Sequence, residues 1–167
     1  MADPRETIVD VRNLSVDFSV AGNAVHAVKS VSFDIKRGET VALVGESGSG
    51  KSVTALSITR LLPYPSASHP TGEILFKGDD VLTMKEADIR RIRGADIGMI
   101  FQEPMTSLNP LHLVEKQVGE VLKLHQGMSN GAARARTIDL LTKAGINDAE
   151  AKMASYRISF PAASASA

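Results

Sequence analysis

Thr40-Val41-Ala42-Leu43-Val44-Gly45-Glu46-Ser47-Gly48-Ser49-Gly50-Lys51-Ser52 joins an apolar run to a glycine-rich turn and then to a helix-compatible segment. The spacing is G-x-x-x-x-G-K-[ST], a phosphate-binding loop in its strand–loop–helix setting. Glycines let the backbone turn tightly, so successive N–H groups can point inward at phosphate oxygens. Lys51 offers a point charge to the β- and γ-phosphates, and the Ser52 hydroxyl is placed to ligate Mg²⁺. The start of the helix adds its positive dipole end. The candidate nucleotide-binding residues are therefore Gly45, Glu46, Ser47, Gly48, Ser49, Gly50, Lys51 and Ser52, with Val53 following on the first helical turn.

The rest of the chain bounds what can be built around this loop. At 167 residues it is long enough for one domain with a core. Lys plus Arg and Asp plus Glu both number 19, so no excess of positive charge argues for nucleic acid, and no nucleic-acid partner is expected. With no cysteine, disulfides, thiolate catalysis and Cys-based zinc sites are excluded. His26, His69, His112 and His125 lack metal-ligand spacing. No apolar stretch approaches the ~20 residues that cross a bilayer, and the N-terminus has no signal-peptide hydrophobic region. These features lead to the expectation of a soluble, cytoplasmic α/β protein.

Alternation through Val9, Val11, Leu14, Val16 and Phe18 predicts a strand with an early irregularity. A second strand follows over Val25 to Ile35 after the turn signal Ala21-Gly22-Asn23. Both look antiparallel and half-exposed, whereas the unbroken apolar runs Val41 to Val44 and Ile97 to Phe101 read as strands buried on both faces. Helices are predicted over Val53 to Leu62, Lys85 to Arg93, Leu113 to Leu124 and Ala132 to Ala144. The last is capped by Ser129 and closed by Gly145. A short strand is expected at Gly72 to Phe76. Asp79-Asp80 reads as turn chemistry, Arg90, Arg91 and Arg93 as a solvated helix face, and Met99 and Met105 as packing residues.

A second motif narrows the reading: Ile100-Phe101-Gln102-Glu103-Pro104-Met105-Thr106-Ser107-Leu108-Asn109-Pro110. With Val44 to Ser52, it closely resembles the ATP-binding subunits of ABC transporters, in their oligopeptide/dipeptide importer branch. Leu111-His112 through Leu124-His125-Gln126-Gly127-Met128 is similar to the microcin C-type peptide importer ATPases of that branch. The resemblance runs from about Ile8 to about Tyr156.

It implies an α/β P-loop NTPase fold of the ABC nucleotide-binding type, incomplete here. N-terminal antiparallel strands would accompany a partial parallel sheet core and a partial helical subdomain. ATP and Mg²⁺ are the implied cofactors. Gln102 becomes the glutamine that contacts Mg²⁺ and the attacking water, a task that suits an amide with both donor and acceptor. Phe18 becomes the aromatic residue that stacks on adenine, with core packing as its alternative. The implied partners are transmembrane permease subunits and a second nucleotide-binding domain, whether from a homodimer, a heterodimer or a tandem cassette. The implied location is the cytoplasmic face of the inner membrane.

Other parts of the family pattern are absent from the sequence: an LSGGQ signature, an apolar strand ending in Asp-Glu, and a switch histidine. Without the Asp and Glu that support Mg²⁺ and polarise water, this chain is expected to bind nucleotide at most and not to turn it over. A non-hydrolytic binding module and an inert remnant are the alternatives. The family continues beyond its tyrosine as P-H-Q-L-S-G-G, whereas here Tyr156 is followed by Arg157 to Ala167. One coding of the family sequence, read after loss of a single base behind the tyrosine codon, gives all of Arg157 to Ala167 and then a stop. The expectation is therefore an N-terminal cassette portion over 1–156, a frameshifted tail over 157–167, and a destabilised, aggregation-prone fragment.

Overall fold

The computed structural model describes residues 6–102 and 108–155. The chain forms two compact units, one running to Arg93 and the other beginning at Gly94, where sequence length alone suggested a single domain.

The first unit is organised by a long hairpin. Strand β1 (Thr7–Val20) pairs antiparallel with β2 (Asn23–Lys36), and Val20 faces Asn23. The two linking residues, Ala21 and Gly22, both have positive φ (49° and 82°). That two-residue geometry matches the right-handed twist of the strands. The expected irregularity is present as register shifts between Val11 and Leu14 and between Leu14 and Val16. Asn13 sits there at φ 47°, and the extra residue returns Leu14 to the buried side beside Val11 and Val16. Side chains staple the bulge. Ser32 Oγ accepts from the Asn13 N–H at 2.8 Å, and Ser15 Oγ accepts from the Ser30 N–H at 3.1 Å.

Helix α1 (Lys51–Ile58) follows the glycine-rich turn. After it, β3 (Ala67–Ser68) and β4 (Glu73–Phe76) each pair with β1, and β5 (Asp79–Asp80) pairs with β4. The main sheet order is β2-β1-β4-β5 and all described pairs are antiparallel. Asp80 serves turn chemistry as expected: its Oδ1 accepts from the N–H groups of Ile74 and Leu82. Helix α2 (Glu86–Ile92) closes the unit, with Ile89 fully buried. Arg90 and Arg91 are solvated, but Arg93 departs from the expected surface role. Its Nε donates to Thr59 O at 2.7 Å and its Nη2 to Arg60 O at 2.8 Å, so it caps the end of the α1 turn.

The second unit is helical. Helices α3 (Val114–Gln126), α4 (Asn130–Lys143) and α5 (Ala149–Met153) bury Val114, Leu141, Ala149 and Met153 together. Ser129 caps α4 as expected, accepting from the Ala132 N–H at 3.3 Å, and Gly145 follows α4 at φ 76°.

The two apolar runs expected as buried strands are not strands in this structure. Val44 is 92% exposed and Ile100 98% exposed. An unbroken apolar strand is stabilised only when neighbouring strands satisfy its backbone and other layers cover both faces. Among the described residues no strand runs beside either segment. Met105, Tyr156 and the stretch 157–167 lie outside the described residues.

Candidate functional site

The glycine-rich turn takes its shape from residues that tolerate unusual backbone. Gly48 and Gly50 have φ 81° and 86°, a region L side chains rarely adopt. At Gly50 there is also no room: a Cβ would lie 2.5 Å from Ala27 O and 3.0 Å from Val28 Cγ2. The loop is thus laid directly against β2, a contact the motif glycine predicts in kind without naming its partner strand. Gly50 is also the N-cap of α1, and its carbonyl accepts from the Thr54 N–H at 2.8 Å and the Thr54 hydroxyl at 2.9 Å.

Lys51 turns back over the loop. Its Nζ donates to Gly45 O at 2.8 Å, Glu46 O at 2.5 Å and Ser49 Oγ at 3.2 Å, using the three donors an ammonium has. A Cβ on Gly45 would sit 2.7 Å from Ser49 Oγ, so this curl needs glycine at its start as well. The cavity here is about 150 Å³, lined by Ala27, Gly48, Ser49, Gly50, Lys51, Ser52 and Val53. Ser52 is exposed at its mouth. The first N–H groups of a helix have no intrahelical acceptor, and those of α1 begin at Lys51. A charged ammonium, a hydroxyl and a helix N-terminus around one cavity favour a polyanion with several oxygens, and the donor set fits a nucleotide phosphate chain. Ser52 supplies a hard oxygen suited to Mg²⁺.

The structure brings Gly48 to Val53 together around one cavity, and Phe18 and Gln102 are not among its lining residues. Phe18 is half-buried in β1, opposite Val25 of β2 and Ala67 of β3. Gln102 is exposed in the second unit, at a bend leading to residues 103–107, which lie outside the described residues. Residue-by-residue reading missed Gln117, whose amide holds the backbone at Asn109, near the end of the Gln102 motif, and at His112 just beyond it. A glutamine within an amphipathic helix carries no sequence signal for such a role.

A model of the ABC transporter family matches residues 28–161, from the second strand through both motifs. The chain belongs to the ABC transporter family. Among curated relatives, the peptidoglycan transport ATP-binding protein YejF of Agrobacterium fabrum is 58% identical over 151 residues, covering 90% of this chain and 28% of that protein. The dipeptide transport ATP-binding protein DppD of Bacillus subtilis is 49% identical over 151 residues, covering 90% of this chain and 45% of that protein. This ABC family chain therefore spans less than half the length of either relative. In fold it is similar to the ATP-binding cassette MJ0796, solved as a dimer in a post-hydrolysis state bound to ADP and Pi. That likeness has TM-score 0.79 at 24% identity, over 94% of this chain and 65% of the other. The incomplete cassette fold expected from the two motifs is thus borne out. Among the described residues of this family member, no helix is long and apolar enough to cross a membrane.

Proposed function

We propose that this chain is the N-terminal part, over residues 1–156, of the ATP-binding subunit of an ABC importer for peptides or peptide-like molecules. The observation that carries this reading is the Lys51 ammonium, held over a glycine loop at the N-terminus of α1 in a chain of this family. The names of its relatives, which transport peptidoglycan and dipeptides, support the substrate class.

In this reading Gly45–Ser52 and Val53 cradle the phosphates of ATP. Glycine-loop N–H groups and the α1 dipole receive the negative charge, and Lys51 exchanges loop oxygens for phosphate oxygens. Ser52 and Gln102 hold Mg²⁺, which when bound neutralises charge on the terminal phosphates. Phe18 stacks on the adenine. In the intact protein the segment at Gln102 faces transmembrane permease subunits, and a second nucleotide-binding domain completes each site. The subunit sits peripherally at the cytoplasmic face of the inner membrane. The 167-residue chain binds nucleotide without turnover, because its sequence contains no Asp-Glu strand and no LSGGQ. Residues 157–167 are read as an out-of-frame tail, which sequencing the gene downstream of the Tyr156 codon tests.

Binding of ATP to the purified chain, with and without Mg²⁺, tests the assignment. Saturable binding is expected, with at least a tenfold loss in Lys51→Ala, since a charge-assisted contact contributes about 1.5–3 kcal/mol. Equal binding by the wild-type chain and Lys51→Ala would overturn it.

A further inference from the structure

Lys51 lines the phosphate-loop cavity, yet its ammonium is spent on the start of its own loop. The acceptors are Gly45 O at 2.8 Å, Glu46 O at 2.5 Å and Ser49 Oγ at 3.2 Å, which engage all three donors an ammonium has. Neither Gly45 nor Glu46 belongs to the cavity lining. Ser49 alone does both, holding the ammonium and forming part of the cavity wall. It is tied to the curl at two points. Its N–H donates to Glu46 O at 3.3 Å, and its hydroxyl lies so close over Gly45 that a Cβ there would meet it at 2.7 Å. The Lys51 stem crosses the same glycine, with its Cδ 3.9 Å from that Cβ position.

We propose that Ser49 is a positioning residue that latches Lys51 onto the start of the loop, so that a nucleotide phosphate chain must break this latch before the ammonium can meet it. This rests on the nucleotide reading given above. The carbonyls of Gly45 and Glu46 are backbone and come with any sequence, whereas the third acceptor exists only because residue 49 carries a hydroxyl. A ligand that needs Lys51 released binds more weakly in proportion to the fraction of chains in which it is already free. The Ser49 hydroxyl lowers that fraction and so works against affinity. Ser49 acts through Lys51 and not on the nucleotide.

Ser49→Ala removes the hydroxyl at an exposed position and leaves the backbone contacts of the loop in place. The first arm of the test needs no nucleotide. Acylation of Lys51 in the full chain is followed by peptide mass spectrometry, with the exposed Lys116 of the same molecule as internal reference. A reagent reaches the Lys51 nitrogen only when its contacts open. Ser49→Ala is therefore expected to speed its modification relative to Lys116 by about two- to fivefold, the equivalent of one exposed hydrogen bond. An unchanged ratio overturns the latch.

Titration with Mg-ATP gives the second arm. Ser49→Ala is expected to bind about two- to fivefold more tightly than the wild-type chain, the opposite of what removing a phosphate contact does. Equal binding overturns the proposal, and weaker binding overturns it by assigning the hydroxyl to the nucleotide directly. A cycle with Lys51→Ala shows whether the gain passes through the ammonium. Ser49→Ala placed in the Lys51→Ala chain is expected to change nothing, and a gain of the same size there overturns the positioning role. Binding of Mg-ATP by none of these chains overturns the nucleotide reading instead, and the acylation ratio then decides whether the latch exists.

Discussion

The β1–β2 hairpin and the segment Val41–Val44 are both rich in valine, yet one is a strand pair and the other is exposed chain. The hairpin finds its partner two residues away, across Ala21 and Gly22, so closing it costs little loop entropy. Among the described residues no strand pairs with Val41–Val44, and Val41, Leu43 and Val44 all remain exposed, Val44 almost fully. In the second unit Ile100 and Phe101, at the end of the run from Ile97, are likewise exposed. Apolar sequence therefore states a need for burial, and whether burial occurs depends on which partners are at hand. The phosphate loop falls on the favourable side of this divide, because its shape rests on local glycines, on Lys51 and on β2 close behind it.

The comparison breaks most directly through paired substitutions. Ile74 is fully buried in β4, so Ile74→Ala is expected to cost about 2–5 kcal/mol in urea unfolding, from lost transfer energy and the cavity left behind. Ile100→Ala, at a side chain 98% exposed, should cost less than about 0.5 kcal/mol. Equal costs would mean that Ile100 is buried in solution.

A smaller effect sharpens the hairpin side. Gly72 has φ 91°, and a Cβ there would lie 2.5 Å from Asn13 O and 2.6 Å from Arg12 O. Gly72→Ala should lower stability by about 1–3 kcal/mol, whereas Gly98→Ala in the unpaired segment, with nothing near its Cβ, should change little.

The smallest effect concerns pH. His69 receives a hydrogen bond from Tyr64 or donates one to it at 2.6 Å, and burial, followed by the charge of Arg60, holds its pKa below the ordinary 6.5. The unfolded chain then takes up a proton before the folded one does. Stability is present in full above about 6.5 and declines as pH falls toward the lower folded value, below which it levels. His69→Gln should flatten urea midpoints across that window; an unchanged slope would assign it to other groups.

Much of this was legible in sequence because it is local. Ala21-Gly22-Asn23 announces its turn, Ser129 announces the α4 cap, and the spacing from Gly45 to Ser52 announces the cavity that Gly48 to Ser52 line. The pairing of Ala67–Ser68 with β1 was not legible, since two residues carry no periodicity. Arg93 sits in a charged run and looks solvated, and only the structure shows its guanidinium on the carbonyls that end α1. Gln117 is polar on a helix and gives no hint of its hold on Asn109. The buried-strand reading of Val41–Val44 failed because apolarity cannot report which strands are present to pair.

Residue-resolved hydrogen exchange on the full chain, with and without Mg-ATP, bears most directly on the central claim. Amides paired between β1 and β2 are expected to be protected, and those of Val41–Val44 and Ile97–Phe101 to exchange near their intrinsic rates. Amides of Gly45 to Val53 should gain protection when nucleotide is added. Protection at Val41–Val44 equal to that of β1, or no nucleotide effect at Gly45 to Val53, would contradict the account.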